Sequence, residues 1–371
     1  MFGPSEDIMT KSKIDALKGT KPGRFLVVKF GSLGDIVHCL PSVAQLRDAF
    51  PEAEIDWLIE RKNKIVVELS RLDVRLIPID TYQWRNSPGI GSAKEIAEFV
   101  WALSTDGYDC TIDFQGLLKS AFFAYLSGAP VRIGWERDFL RESVSRFFYT
   151  EVVTPKRIHI IDQQMELLRP LDIDPKWDTE VQLRPGEGAR RSVSQKLAGL
   201  TDFIVINPGG NWPTKCWDPE RYGDLALRLM NDGHPVVVTW GPGEEDLVHR
   251  LVRSAGRGVH EIPTKLEELV ALCETAKLFV GGDTGPMHFA AAVGAPIVAI
   301  FGPTSSDRNG PFRREDIVVE RRLSCRPCYE RDHCPLEHWQ CIADITVDHV
   351  YEACRKRLLL ADARPSLQPA E

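Results

Sequence analysis

Residues 277–301 read KLFVGGDTGPMHFAAAVGAPIVAIF, and the order of residue types in this stretch sets the architecture. The apolar run at 277–281 ends on a glycine pair and reads as a buried strand. Pro286 suits the first turn of a helix over 286–293, where its missing N–H costs nothing. Gly294 and Pro296 then break the helix before a second strand at 297–301. Strand, glycine-rich turn, helix and strand in this order form a βαβ unit, which needs a parallel sheet.

The same rhythm extends in both directions. Upstream, strands are expected at 203–207 and 235–240, with helices at 219–231, 244–255 and 265–274. In the first half, strands are expected at 24–30, 54–60, 74–79, 111–114 and 131–135, with helices at 36–49, 94–104 and 118–126. Between the halves, residues 172–190 carry two prolines, two glycines and mixed charges, which reads as a linker region. The sequence therefore predicts an α/β chain of two Rossmann-like domains, 23–180 and 190–345, without a sequence-level repeat. A disordered lead-in over 1–22 and a closing helix within 346–362 complete the expected organisation.

Composition narrows the function classes. The 371 residues are 43% hydrophobic and 27% charged, which is globular, and the net charge of -7 argues against a nucleic-acid binder. No apolar run reaches spanning length, and the first 22 residues lack the apolar core of a secretory signal. Nine cysteines, an odd count, fit a reducing cytoplasm. Cys325, Cys328, Cys334 and Cys341 follow each other with two, five and six residues between them, with His333 and His338 interleaved. The longer gaps match no standard zinc module, so buried thiols or a disulfide are preferred to a metal there.

Ligands of open parallel sheets bind at the carboxyl ends of the strands, so chemistry belongs in three loops. The first, Gly31-Ser32-Leu33-Gly34-Asp35, places Asp35 at a helix start. It reads either as a first-turn carboxylate favoured by the helix dipole or as a site residue. The second, Pro208-Gly209-Gly210-Asn211-Trp212-Pro213-Thr214-Lys215, bares backbone N–H groups ahead of one cation. That suits a phosphate, or is a glycine turn with a solvated lysine. The third, Gly282-Asp283-Thr284-Gly285-Pro286-Met287-His288, offers the N–H groups of Thr284 and Gly285 at a helix N-terminus, an anion site. Asp283 is then expected on sugar hydroxyls, and His288 reads equally as a core histidine or a ligand contact. None of the loops is a Walker A or a G-x-G-x-x-G fingerprint.

In their order and spacing, K-x-G-S-L-G-D-I-V-H, P-G-G-N-W-P-T-K-x-W and G-D-T-G-P-M-H-F-A-A-A resemble glycosyltransferase family 9, the bacterial lipopolysaccharide heptosyltransferases. The likeness runs from about Arg24 to Arg357. YDCTIDFQGLLKSA and LRESVSRFFYTEVVTPKRIHIIDQQ resemble the type that uses Kdo as acceptor, and the cysteine-rich end the type that adds heptose to heptose. The resemblance implies a GT-B fold: two Rossmann-like domains facing across a cleft, acceptor on the first, nucleotide-sugar on the second, and a final helix returning to the first. It implies inverting transfer of L-glycero-D-manno-heptose from ADP-heptose to Kdo–lipid A, with no metal and no cofactor. The alternatives are heptose as acceptor, or another inverting envelope glycosyltransferase.

Carried onto this sequence, the resemblance makes Asp35 the base and Lys215 the group that meets the leaving ADP. It places Gly209, Gly210, Asn211, Lys215, Asp283, Thr284, Gly285 and His288 at the donor, with Glu244 or Glu245 on the ribose. Ser32, Gly34, Arg85, Lys119 and His159 fall on the acceptor side. Arg85 is the one basic residue in 77–85, where Kdo-type enzymes carry several. A cytoplasmic monomer in peripheral contact with the inner membrane is expected; residues 134–159, where arginines and aromatics alternate with Glu136, Asp138, Glu142 and Glu151, read either as the docking segment or as a solvated helix packed by its aromatics.

Overall fold

The computed structural model describes residues 23–87 and 89–362. The expected lead-in over 1–22 and the tail beyond 362 lie outside them. The chain divides into two compact units between Val181 and Gln182.

The first unit holds a six-stranded parallel sheet: β1 (Arg24–Val28), β2 (Glu54–Glu60), β3 (Arg75–Ile79), β4 (Cys110–Asp113), β5 (Val131–Trp135) and β6 (Glu151–Val153). Its strand order is β3-β2-β1-β4-β5-β6. Phe25, Leu26, Val27 and Val28 are all buried, the continuous apolar run of a strand covered on both faces. At the amino end of the sheet the buried Asp56 gathers Arg24, Arg75 and the Tyr108 hydroxyl at 3.1, 2.6 and 2.7 Å.

The second unit repeats the design with β7 (Ile204–Asn207), β8 (Val236–Trp240), β9 (His260–Pro263), β10 (Leu278–Gly282), β11 (Ile297–Phe301) and β12 (Ile317–Glu320). The order β12-β11-β10-β7-β8-β9 is the first order read from the other side. In each sheet the chain reverses direction of travel beside the first strand, at β1/β4 and β7/β10, the place where open parallel sheets bind ligands at the carboxyl edge. Trp217 and Tyr222 meet edge to face in the second core, 4.8 Å between centroids, and the Trp217 indole N–H reaches the Ile345 carbonyl at 2.9 Å.

The segment read as a linker differs from expectation. Helix Glu187–Leu197 begins inside it, and Leu183 and Gly186 are already tied to the second unit through Ala292 and Glu267. Helix Val347–Asp362 buries Val350, Ala353, Cys354 and Leu358 in the core of the second unit. Its Arg357 forms a buried pair with Asp316 at 3.0 Å. No helix among the described residues is long and apolar enough to cross a membrane.

Candidate active site

Each sheet presents a cluster at its own switch point. In the first unit, β1 runs into Phe30, Gly31 and Ser32, and helix Leu33–Ala49 follows. Ser32 caps that helix, and Asp35 Oδ2 accepts both the Ser32 backbone N–H and its hydroxyl at 2.9 Å. The first-turn reading of Asp35 is therefore realised, with its side chain half-buried rather than enclosed. Gly34 is buried beneath the turn.

Neighbouring loops brace this turn. The Gln115 side-chain carbonyl accepts the Phe30 and Gly31 N–H groups at 3.1 and 3.3 Å, and Asn63 donates to the Phe30 carbonyl at 2.7 Å. A Cβ on Gly31 would lie 2.5 Å from the Asn63 amide nitrogen, so the turn takes glycine. Gln115 is set in turn by the buried Asp113, which accepts the Gln115 and Gly116 N–H groups and the Tyr149 hydroxyl. Burial pushes the Asp113 carboxyl up, and hydrogen bonds from Tyr149, Ser120 and the two amides offset part of that rise.

The expected acceptor residues divide. Lys119 comes to the turn: its Nζ lies 4.7 Å from the Phe30 ring centroid and donates to Thr81 Oγ1 at 2.8 Å, with Glu60 at 3.4 Å. His159 caps helix Ile160–Glu166 and places its ring 6.5 Å from that of His38, one turn beyond Asp35 on the same helix. Arg85 lies exposed on helix Thr81–Asn86, over the Tyr82 ring at 5.7 Å, and is not drawn into this group.

In the second unit the loops after β7, β8, β10 and β11 converge. Lys215 Nζ donates to Asp283 Oδ2 at 2.8 Å and lies 4.3 Å from the Trp212 ring centroid. It is an ion-paired, largely buried lysine, which removes the solvated alternative. Thr304 donates to the same Asp283 oxygen at 2.7 Å, while His288 Nε2 lies 3.6 Å from Oδ1. Both Asp283 oxygens thus face protein groups, where contact with sugar hydroxyls was expected. Burial works to raise the Asp283 pKa, but the neighbouring His288 and the Lys215 charge overcome it and hold the carboxyl well below its usual range.

The backbone around this cluster is close-set. A Cβ on Gly209 would fall 2.0 Å from Glu244 Oε1, and one on Gly210 2.8 Å from the Thr284 methyl. Glu244 accepts the Gly241 N–H at 3.0 Å and faces the loop, whereas Glu245 is exposed on the first turn of helix Glu245–Ala255. Asn211 is exposed. The expectation of two open amides is corrected: the Thr284 N–H closes onto the Gly282 carbonyl at 2.8 Å. The Gly285 N–H, at the start of helix Gly285–Ala292, makes no hydrogen bond among the described residues.

Thr304, which no motif in the sequence singles out, follows β11 in the same kind of loop as the one after β10. Nor does the sequence mark the cysteine-rich segment as a brace. Thr214 donates to the Glu330 and Arg331 carbonyls, and Arg326 to the Thr304 carbonyl, so this segment props Lys215 and Asp283 from beneath. Its four cysteines are free thiols, and of these only Cys341 is buried. Among the described residues no group of three or more histidine, cysteine, aspartate or glutamate side chains is placed to hold a metal.

Two parallel units of this strand order in one chain make a GT-B fold, and structural neighbours are glycosyltransferases of that fold. The glycosyltransferase family 9 (heptosyltransferase) profile matches residues 96–340, and the chain belongs to that family. It is 28% identical over 315 residues to lipopolysaccharide heptosyltransferase 1 of Pseudomonas aeruginosa, covering 83% of this chain and 86% of the relative. It is 29% identical to lipooligosaccharide heptosyltransferase 2 of Campylobacter jejuni, covering 88% and 95%. The structure of the E. coli heptosyltransferase WaaC with ADP-2-deoxy-2-fluoro heptose superposes with a TM-score of 0.70 at 25% identity, over 90% of this chain and 99% of that one.

Proposed function

We propose that this chain transfers L-glycero-D-manno-heptose from ADP-heptose to the Kdo of Kdo–lipid A, with inversion, in lipopolysaccharide core synthesis. The observation that carries the reading is the Lys215–Asp283 pair beside the unengaged Gly285 N–H, on loops that leave the second sheet at its switch point. A relative's structure with an ADP-heptose analogue supports the donor class.

In this reading Asp35 takes the proton of the acceptor hydroxyl as its oxygen attacks the anomeric carbon. The bond from that carbon to the diphosphate oxygen breaks, and ADP leaves with the electron pair. Displacement from the opposite face inverts the anomeric centre. Lys215 and the Gly285 N–H meet the charge that develops on the diphosphate, so protein groups do what a metal ion would otherwise do. Asp283 keeps Lys215 aimed, Thr304 and His288 fix Asp283, and Glu244 is placed to accept from ribose hydroxyls. On the acceptor side, Lys119 beside the Phe30 ring and His159 beside His38 are the candidate contacts.

Incubation with ADP-heptose and Kdo–lipid A tests this: the acceptor should gain the mass of one heptose. A second reading, heptose as acceptor, draws on the similarity to the C. jejuni heptosyltransferase 2. Transfer only to an acceptor that already carries heptose would establish it in place of the first.

A further inference from the structure

Helix Leu118–Leu126 turns an apolar stripe away from its sheet. Leu118, Phe122 and Tyr125 recur at helical spacing and are 39%, 47% and 53% exposed. At that spacing an apolar row is ordinarily the buried face of a helix. The turns after β5 add Phe139, Val144 and Phe147, which are 46%, 54% and 67% exposed. Phe148 joins the two segments, meeting Phe122 and Tyr125 edge-on at 6.1 and 5.8 Å. Between them lies a groove of about 720 Å³, walled by Leu117, Leu118, Phe122 and Phe148, with Lys119 and Arg141 in its lining.

The groove lining carries two cations, Lys119 and Arg141, against one acid, Glu142. Arg137 lies over the Phe147 ring and Arg132 over the Tyr125 ring, each 5.6 Å from the centroid. Arg141 is exposed and has no ion-pair partner among the described residues. Two of the nearby acids are engaged: Glu142 accepts the Leu118 N–H at 2.7 Å and Glu136 the Arg137 N–H at 2.8 Å. A contiguous exposed aromatic patch rimmed by cations marks a binding surface rather than a solvated one. Aromatic rings with arginine heads on apolar stems match the boundary between lipid headgroups and acyl chains.

We propose that this face docks the protein on an anionic bilayer, with Phe122, Phe139 and Phe147 entering the headgroup boundary and Arg137 and Arg141 meeting lipid phosphates. It places a lipid-borne acceptor beside Lys119, and it stands whichever sugar is transferred. Residues 134–159 alone are too narrow a description, because Tyr149 and Leu140 turn inward and the helix before β5 supplies half of the surface.

The test is sedimentation of the full chain with phosphatidylcholine vesicles, with or without phosphatidylglycerol. The protein should bind only the anionic vesicles, and added salt should release it. Arg141→Glu, and separately Phe122→Ser with Phe147→Ser, should each weaken binding by about tenfold or more. These side chains are exposed, so the variants should melt like the parent. Turnover on a deacylated, soluble acceptor should be unchanged, while KM for the lipid-borne acceptor rises. Failure of the parent to bind, equal binding to both vesicle types, or variants that bind like the parent would each overturn the proposal. So would a concentration-dependent dimer that the phenylalanine variants dissolve, which would assign the face to a second copy. The vesicle-binding outcomes do not depend on heptose transfer, so the two proposals fail separately.

Discussion

Asp283 gathers Lys215, Thr304 and His288 around one carboxylate. Its folded-state pKa lies below the ordinary carboxylate value, so the unfolded chain takes up the proton first. The stability it contributes is therefore complete above the ordinary carboxylate range and is lost as pH falls through its folded value. Lys215→Met removes a charge that holds this pKa down and leaves desolvation, which moves it up. The variant should therefore be less stable than the parent at neutral pH, and the gap in Tm should narrow as pH falls toward the carboxylate range. A gap that stays constant with pH would show that Lys215 does not set the charge of Asp283. Asp35 poses the opposite case, because its capping contact with Ser32 is compatible with a structural role and with a catalytic one. Asp35→Asn keeps a capping side chain and removes the base, so it should fold and bind ADP while turnover drops by ~10²–10⁴-fold. A turnover close to the parent's would leave Asp35 as a cap.

Elements that carry site residues are held by close backbone approaches, which gives the glycines testable weight. Gly223 lies where helix Pro219–Asn231 crosses helix Glu245–Ala255, and a Cβ there would fall 2.4 Å from the Leu251 carbonyl and 2.5 Å from Ser254 Cβ. Gly223→Ala must push the helices apart, at a cost of about 1–3 kcal/mol in overpacking. It should lower Tm and weaken ADP binding, since the displaced helix begins beside Glu244; an unchanged Tm would show that the crossing gives way freely. This contact was not legible in the sequence, where Gly223 is one residue in an amphipathic run. The elements themselves were legible wherever both faces are buried, as in β1, β7, β10 and β11. The strands β6, β9 and β12 escaped because they are sheet edges: β6 has three residues, β9 buries only Ile262, and β12 is half-exposed throughout. Helix Glu187–Leu197 escaped because Pro185, Gly186 and Gly188 read as a break, whereas Gly186 serves as its N-cap. The three loops could be found because they follow buried strands, but the pairing of Lys215 with Asp283 spans 68 residues and no local pattern encodes it.

At the scale of the whole molecule, charge frames the chemistry. The chain carries -7, and the proposed donor and acceptor are both anions, so the long-range field opposes their approach. The proposed donor cluster is no stronger a cation than Lys215, whose charge is largely balanced by Asp283. What it offers a diphosphate is short-range: an aimed ammonium, the Gly285 N–H and the helix dipole behind it, in a half-enclosed place where such contacts are worth more than in water. These groups are fixed before the substrate arrives, so they need no reorganisation as charge develops on the leaving oxygen. If they suffice, dialysis against EDTA should leave turnover of ADP-heptose essentially unchanged, and added magnesium should not raise it. Lys215→Ala should then cost more than any chelator, because a hydrogen bond to a charged group contributes about 1.5–3 kcal/mol. Loss of activity in EDTA that magnesium restores would assign the leaving-group charge to a metal instead and reduce Lys215 to a partner of Asp283. The two treatments combined distinguish these cases, since a metal-dependent enzyme would keep its response to EDTA in the Lys215→Ala variant and a metal-independent one would show none in either.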